Sequence, residues 1–159
     1  MWTSFFSASA SASAALAGLV FVALSVNIQS VLKYPHVLAR AAATIGALIL
    51  ILVSSMAALA PQSERGLGYE IVGFGTLGWI LAVWSATHSV RARRISPRLQ
   101  PRPALSIITG QLQVLPFLAG GVMMAAGLSY GIRWVAGGVM ATFIFAVLSA
   151  WVLLVEILR

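Results

Sequence analysis

AAATIGALILILVSSMAALAPQS, residues 41–63, contains no charged side chain. Four more stretches share this property, and the 10 basic and 3 acidic residues of the chain lie almost entirely between them. These stretches are residues 1–32, 71–90, 103–132 and 134–155. An α-helix rises about 1.5 Å per residue, so about 20 apolar residues cross a hydrocarbon core roughly 30 Å thick. Each stretch is long enough, which predicts that the chain folds in a membrane.

The composition excludes several classes of protein. Of the 159 residues, 60% are hydrophobic and 8% are charged, so a soluble domain would lack the polar surface to cover itself. Without cysteine, the chain has no disulfide, thiolate metal site or cysteine nucleophile. The net charge of +7 does not indicate nucleic-acid binding, because the charges flank the apolar stretches. We predict an all-α fold, a polytopic membrane helix bundle forming one transmembrane domain, with the lipid bilayer as a partner.

Basic residues indicate the orientation, because they favour the cytoplasmic side of short loops. Residues 91–102 hold five arginines, so we place this basic loop, with bounds of about 91–103, in the cytoplasm. That choice puts eight of the 10 basic residues inside and only Arg65 and Arg133 outside. It predicts five transmembrane helices, with the N-terminus out and the C-terminus in. The predicted spans are residues 11–32, 41–60, 69–90, 104–128 and 134–157.

The basic loop is also a candidate contact with lipid. Pro97, Pro101 and Pro103 predict an extended chain rather than a helix, because proline restricts its own backbone and that of the preceding residue. A stiff connector rich in arginine is typical of a segment near anionic lipid. The candidate lipid contacts are Arg91, Arg93, Arg94, Arg98 and Arg102.

The N-terminal tract, MWTSFFSASASASA at residues 1–14, has low complexity and no basic residue. A cleavable signal peptide usually begins with positive charge, so we interpret the tract as part of the protein. We expect Trp2, Phe5 and Phe6 to form an aromatic anchor at the membrane interface, with the first span starting near Ser11.

Polar side chains within the predicted spans are costly in lipid, so each is a functional hypothesis. The predicted topology brings six of them to one layer near the cytoplasmic side, from the first, third, fourth and fifth helices. This polar layer consists of Asn27, Gln29, His88, Gln111, Gln113 and Glu156. Two explanations stay open. The layer either packs the helices through hydrogen bonds that contribute about 1 kcal/mol each, or forms a polar pocket or hydrated pore mouth.

Gly73, Gly75 and Gly78 match the G-x-G-x-x-G pattern of dinucleotide sites. That fingerprint requires a strand before it and a helix opening after it, whereas here the glycines lie inside a predicted span. We therefore expect them to let helices pack closely, with Gly78 on nearly the same side as Gly75 and Ala82. Glycines in the other spans likewise predict tight packing, within a protomer or between protomers.

No catalytic pattern is found in the sequence, neither a serine–histidine–acid set at one depth nor HExxH nor paired intramembrane carboxylates. We predict that the protein is not an enzyme and has no metal site. Two axial histidines would hold a b-type haem, but of the two histidines only His88 lies in a predicted helix, and His36 lies in a loop. We predict no cofactor and leave open a haem or pigment bound through His88.

The first half of the chain carries a family resemblance. Residues 14–27 read AALAGLVFVALSVN, followed by YP at residues 34–35 and ARA at residues 39–41. This pattern resembles the opening of a family of small uncharacterised bacterial multi-pass membrane proteins, which implies a location in the bacterial inner membrane. The first span is also similar to that of Orai calcium channels in its small and apolar pattern. Their selectivity glutamate would fall on Asn27, so this similarity does not imply calcium selectivity.

The small residues in every span, without a soluble domain or catalytic set, favour one function. We predict a non-enzymatic integral membrane protein that acts through lateral helix packing, as a homo-oligomer or as an accessory subunit of a larger membrane complex. The alternative is an oligomeric ion channel or small transporter, with the first helix and Asn27 lining the path. A third possibility is a redox or pigment protein.

Overall fold

The structure describes the backbone of residues 2–29, 35–95 and 103–158, and the side chains of residues 2–29, 38, 41–84, 87 and 114–151. Within these residues the computed structural model contains five helices. They are α1 (Trp2–Val26), α2 (Pro35–Leu59), α3 (Glu64–Ile95), α4 (Pro103–Ala125) and α5 (Gly131–Leu158). The predicted all-α fold is therefore confirmed.

Prolines and one glycine mark several helix ends. Both α2 and α4 begin at a proline, whose missing N–H costs little because the first N–H groups of a helix have no partner within it. α4 ends in a Schellman turn, in which the N–H of Gly127 donates to Met124 O and that of Leu128 donates to Met123 O, both at 2.9 Å. Gly127 has a φ of +82°, a left-handed conformation that glycine adopts without the steric cost of a Cβ. This turn directs the chain back into α5.

Helices α2, α3, α4 and α5 form a ring in which each packs on the next and α5 packs on α2. α1 lies against α2 and, over a smaller area, against α5. Neighbours in the ring run antiparallel. Gly68 of α3 lies at Ala125 of α4 while the later Gly75 lies at the earlier Leu118. The pairs Gly46–Leu81 and Gly78–Leu50 show the same for α2 and α3, and Gly120–Val135 and Gly138–Phe117 show it for α4 and α5.

One hydrophobic core runs through the bundle and draws on all five helices. Leu48 and Ile51 of α2, Ile71 of α3, Phe117 of α4 and Val139 of α5 are each at most 1% exposed. Because α2 contacts α1, α3 and α5, its buried side chains lie at the centre of this core.

Within the described residues, four helices are long and apolar enough to cross a membrane. They are the segments Trp2–Val26, Ala41–Leu59, Glu64–Trp84 and Gly131–Trp151. The described apolar part of α4, Val114–Ala125, is shorter. Large apolar side chains are exposed on these helices, among them Leu19 at 67%, Ile144 at 61% and Trp151 at 68%, a pattern that suits lipid rather than water. The chain is therefore a multi-pass membrane protein.

The N-terminal helix differs from the prediction in two respects. α1 begins at Trp2 rather than near Ser11, so most of the low-complexity tract is helical. Phe6, expected at the membrane interface, is 1% exposed and belongs to the core. Its ring centroid lies 5.2 Å from that of Phe5 in an edge-to-face arrangement. Phe6 is the largest of the three buried residues of α1, since the other two are Ser9 and Ser13.

The basic loop also differs from the prediction where it can be compared. α3 continues to Ile95, so the backbone at Arg91, Arg93 and Arg94 is helical rather than extended. Arginine favours helix, and the restriction imposed by Pro97 acts only on the residue immediately before it. The prediction of an extended chain is thus wrong for residues 91–95.

Candidate functional site

A close helix contact joins α3 to α4 and depends on glycine. A Cβ built on Gly68 would collide with the backbone N of Ala125, and would lie 2.9 Å from its Cα and 2.9 Å from the O of Gly121. A Cβ on Gly121 would in turn lie 3.0 Å from the backbone N of Val72. Backbones approach this closely only where side chains are absent, which is the usual role of small residues between membrane helices.

A second glycine contact joins α4 to α5. A Cβ on Gly120 would lie 2.8 Å from the backbone O of Gly131 and 2.8 Å from the N of Val135. A Cβ on Gly138 would lie 2.9 Å from Cδ2 of Phe117. The adjacent Gly120 and Gly121 therefore serve different neighbours, because consecutive residues point about 100° apart on a helix. Together they hold α4 tightly between α3 and α5.

A third contact joins α2 to α3. A Cβ on Gly46 would lie 3.3 Å from Cδ1 of Leu81, and one on Gly78 would lie 3.0 Å from Cδ2 of Leu50. Gly75, by contrast, faces α4, so the prediction that Gly75 and Gly78 share a packing side is wrong. Three residues differ by about 60° around a helix, enough here to separate two neighbouring helices. As predicted, Gly73, Gly75 and Gly78 lie inside a continuous helix, α3.

Not all glycines are buried in these contacts. A Cβ added to Gly18, Gly73 or Gly137 would have no atom within 4 Å. Gly73 and Gly137 lie singly among larger exposed side chains such as Leu77 and Met140. Gly18, on α1, belongs to a longer surface.

The exposed face of α1 carries small residues from Ser4 to Gly18. Its buried residues are Phe6, Ser9 and Ser13, and the face on the other side of the helix is exposed. We call this face the small-residue seam. It consists of Ser4, Ser11, Gly18 and Ser25 at seven-residue intervals, with Ser7, Ala8, Ala14 and Ala15 between them. The larger Val22 interrupts it between Gly18 and Ser25. Two of its hydroxyls donate to carbonyls of their own helix, Ser11 to Ser7 O at 3.1 Å and Ser25 to Phe21 O at 2.9 Å.

The predicted polar layer is described at α1 alone. Asn27 follows the last residue of α1, is half-buried, and donates from Nδ2 to Ala23 O at 3.0 Å. Gln29 is exposed. The backbone places His88 near the end of α3, Gln111 and Gln113 in the first half of α4, and Glu156 at the end of α5, the same end of the antiparallel bundle. Their side chains lie outside the described residues, so their meeting in one layer stays a prediction.

The predicted lipid contacts stay predictions for the same reason. The side chains of Arg91, Arg93 and Arg94 lie outside the described residues, as do Arg98 and Arg102 entirely.

At the opposite end of the bundle, polar groups tie the connections together. Gln62 donates from Nε2 to Glu70 Oε2 at 3.0 Å and to Ala57 O at 2.9 Å, linking the end of α2 to α3. A Cβ on Gly127 would lie 3.5 Å from Nη2 of Arg65, so this guanidinium lies beside the C-terminal turn of α4. A cation there interacts favourably with the partial negative charge of a helix C-terminus. These contacts hold the helix connections in place.

The sequence reading missed a set of buried hydroxyls. Ser54 and Ser55 of α2 and Thr142 of α5 are 0% exposed, and Thr44 is 5% exposed. Serine and threonine occur throughout the apolar stretches, so their presence alone did not distinguish the buried ones. The signal was the adjacent pair in ILVSSMAAL, since two consecutive positions of a helix are both buried only when the helix has neighbours on two sides.

Comparison of the chain with protein-family models, curated proteins and solved structures found no match. The resemblance of residues 14–41 to small bacterial membrane proteins therefore stays a prediction.

Proposed function

We propose that this chain is a non-enzymatic integral membrane protein of the bacterial inner membrane that acts through lateral helix packing. In this proposal all five helices cross the membrane, with the N-terminus out and the C-terminus in. The fifth crossing is α4, whose 23 residues are enough for a core roughly 30 Å thick. The proposed orientation of the protein is the one that places eight of the 10 basic residues in the cytoplasm.

The observation that carries the proposal is the small-residue seam of α1. A helix face that meets only lipid gains from large apolar side chains, as in Leu19 and Phe21 beside the seam, which are 67% and 65% exposed. The seam instead presents serine, alanine and glycine, which let another backbone approach. From Ser4 to Gly18 it extends about 21 Å, roughly two thirds of the thickness of the hydrocarbon core.

We infer that the partner on the seam is a second copy of this chain. A seven-residue repeat keeps the same face toward a partner helix along the whole length of a left-handed crossing. Two copies related by a two-fold axis would each offer the same seam to the other, which makes the contact self-complementary. The same kind of contact already joins α3 to α4 inside the protomer, through Gly68, Gly121 and Ala125.

Single cysteines test this pairing directly, because the chain has none of its own. We expect Ser11→Cys, on the seam, to form a disulfide-linked dimer in oxidised membranes. Ser13→Cys is the matched control, since it replaces a serine two residues away that is 0% exposed inside the protomer. We expect no dimer from this variant.

A second pair of variants tests whether the seam drives association. Gly18→Leu fills the seam, whereas Gly73→Leu adds the same bulk at an exposed glycine of α3 that also has no atom within 4 Å. The mass of the complex extracted in mild detergent should fall to that of a monomer for Gly18→Leu alone. If wild-type protein extracted in this way is already a monomer and Ser11→Cys does not dimerise, pairing with a second copy is wrong. A cross-link of Ser11→Cys to a different membrane protein would instead indicate an accessory subunit.

The alternative function is an oligomeric ion channel or small transporter lined by α1. The hydroxyls of Ser4, Ser7 and Ser11 favour it, because several copies of the seam around an axis would form a polar lining. Flux of monovalent ions, calcium or small solutes into vesicles containing the purified protein tests this reading. The channel function predicts flux that Ser11→Leu abolishes, and no flux for any of these species would exclude it.

A further inference from the structure

Two neighbouring hydroxyls of α2 have no hydrogen-bond partner among the residues that the structure describes. Ser54 and Ser55 are 0% exposed, and neither Oγ atom has a hydrogen-bond partner among the described residues. Serine and threonine in a helix commonly donate to a carbonyl three or four residues earlier. Ser13 does so to Ala10 O at 2.9 Å and Thr76 to Val72 O at 2.7 Å. Ser54 and Ser55 therefore differ from Ser13 and Thr76, whose hydroxyls are bonded within their own helices.

The position of the pair makes the missing partners costly. One turn earlier, Ile51 is 0% exposed and Leu50 is 6% exposed, so both serines lie in the hydrophobic core of a membrane protein. Bulk water does not reach side chains that are 0% exposed, and an unpaired hydroxyl there loses its hydration without replacement. Native structures usually satisfy such groups with an ordered water when the protein itself offers nothing.

We propose that Ser54 and Ser55 hold bound water inside the bundle. A water between them can donate to one hydroxyl and accept from the other. The carbonyls of Leu50 and Ile51, one turn earlier on the same helix, each keep a second lone pair for it. That supplies the two to four polar partners that a buried water requires.

The chemistry of the surroundings favours water over a cation. The buried polar side chains of the described residues are all neutral hydroxyls. They are Ser9, Ser13, Thr44, Ser54, Ser55 and Thr142. A cation at this depth requires carboxylates or a full set of oxygen ligands, whereas water matches hydroxyls that both donate and accept.

Radiolytic footprinting of the full chain in lipid nanodiscs, in water enriched with oxygen-18, tests the proposal. Radicals formed from a bound water oxidise the side chains that touch it, even when those side chains are inaccessible to bulk solvent. We expect oxygen-18 labelling of Ile51 in the wild-type protein. The variant Ser54→Ala/Ser55→Ala should lose that labelling, while the control Ser13→Ala, which removes a buried but already bonded hydroxyl, should retain it.

Two results would overturn the proposal. Ile51 that stays unlabelled in folded wild-type protein shows that no exchangeable water lies beside the pair, and this measurement requires no variant to fold. Labelling of Ile51 that persists in a folded Ser54→Ala/Ser55→Ala variant shows that the serines do not hold the water. The melting temperature gives a second readout. It should fall in Ser54→Ala if a water is bound, whereas a rise would indicate that a dry, unsatisfied hydroxyl had been removed.

Discussion

Substitution of Gly68 by alanine should separate α3 from α4, two helices that pack closely through glycine. The new Cβ would collide with the backbone N of Ala125 and lie 2.9 Å from the O of Gly121, both main-chain atoms that no rotamer change can move. Ordinary contact would require α3 and α4 to move apart by about 0.5–1 Å. A gap of that size loses a quarter to a half of the dispersion energy of the contacts that open.

The expected magnitude follows from two opposing terms. Overpacking costs about 1–3 kcal/mol, and a rigid backbone neighbour puts this site near the upper value. Alanine is favoured over glycine in a helix by about 1 kcal/mol. The net destabilisation of Gly68→Ala is therefore about 2 kcal/mol, or about 30-fold in the ratio of folded to unfolded protein.

Gly73→Ala is the matched control, because Gly73 lies on the same helix and an added Cβ would have no atom within 4 Å. Only the helix-propensity term remains, so this variant should be stabilised by up to about 1 kcal/mol. Both variants are compared with the wild type by unfolding in mixed micelles with increasing sodium dodecyl sulfate, followed by far-ultraviolet circular dichroism at one protein concentration. If Gly68→Ala is as stable as the wild type, or if both variants lose the same stability, the proposed backbone contact does not exist.

Three further predictions use the same unfolding assay. Gly127→Ala should destabilise by about 1 kcal/mol, because alanine is strained at a φ of +82°; Gly137→Ala, on an open helix surface, should not. Phe6→Ala should cost about 3–5 kcal/mol, since the ring is 1% exposed, and clearly more than Phe5→Ala at its half-buried neighbour. Equal losses of stability in Phe6→Ala and Phe5→Ala would contradict a core position for Phe6 and favour one at the membrane interface. Gln62→Ala should lower the free energy of unfolding by no more than about 1 kcal/mol, because its two hydrogen bonds are exposed. A larger decrease would show that the connection between α2 and α3 contributes more to stability than these exposed bonds suggest.

Much of the fold followed from the sequence because the length of an apolar segment is a local property. The helical nature of the chain and the apolar character of residues such as Leu19 and Ile144 required no knowledge of neighbours. The end of α3 at Ile95 was predictable only approximately, since arginine favours helix and Pro97 restricts only the residue before it. Phe6 was misplaced because an aromatic residue suits both a membrane interface and a core.

By itself the sequence determined that this protein folds in lipid and that its helices pack through small residues. Only the tertiary structure decided which neighbour each small residue meets. Gly120 and Gly121 contact different helices although they are adjacent in the chain. Gly75 and Gly78 also contact different helices, although they are only three residues apart. The reason is geometric. Successive side chains point about 100° apart around a helix, but which helix lies in each direction depends on the tertiary packing. The same packing buried Ser54 and Ser55 and left the small-residue seam of α1 facing outward.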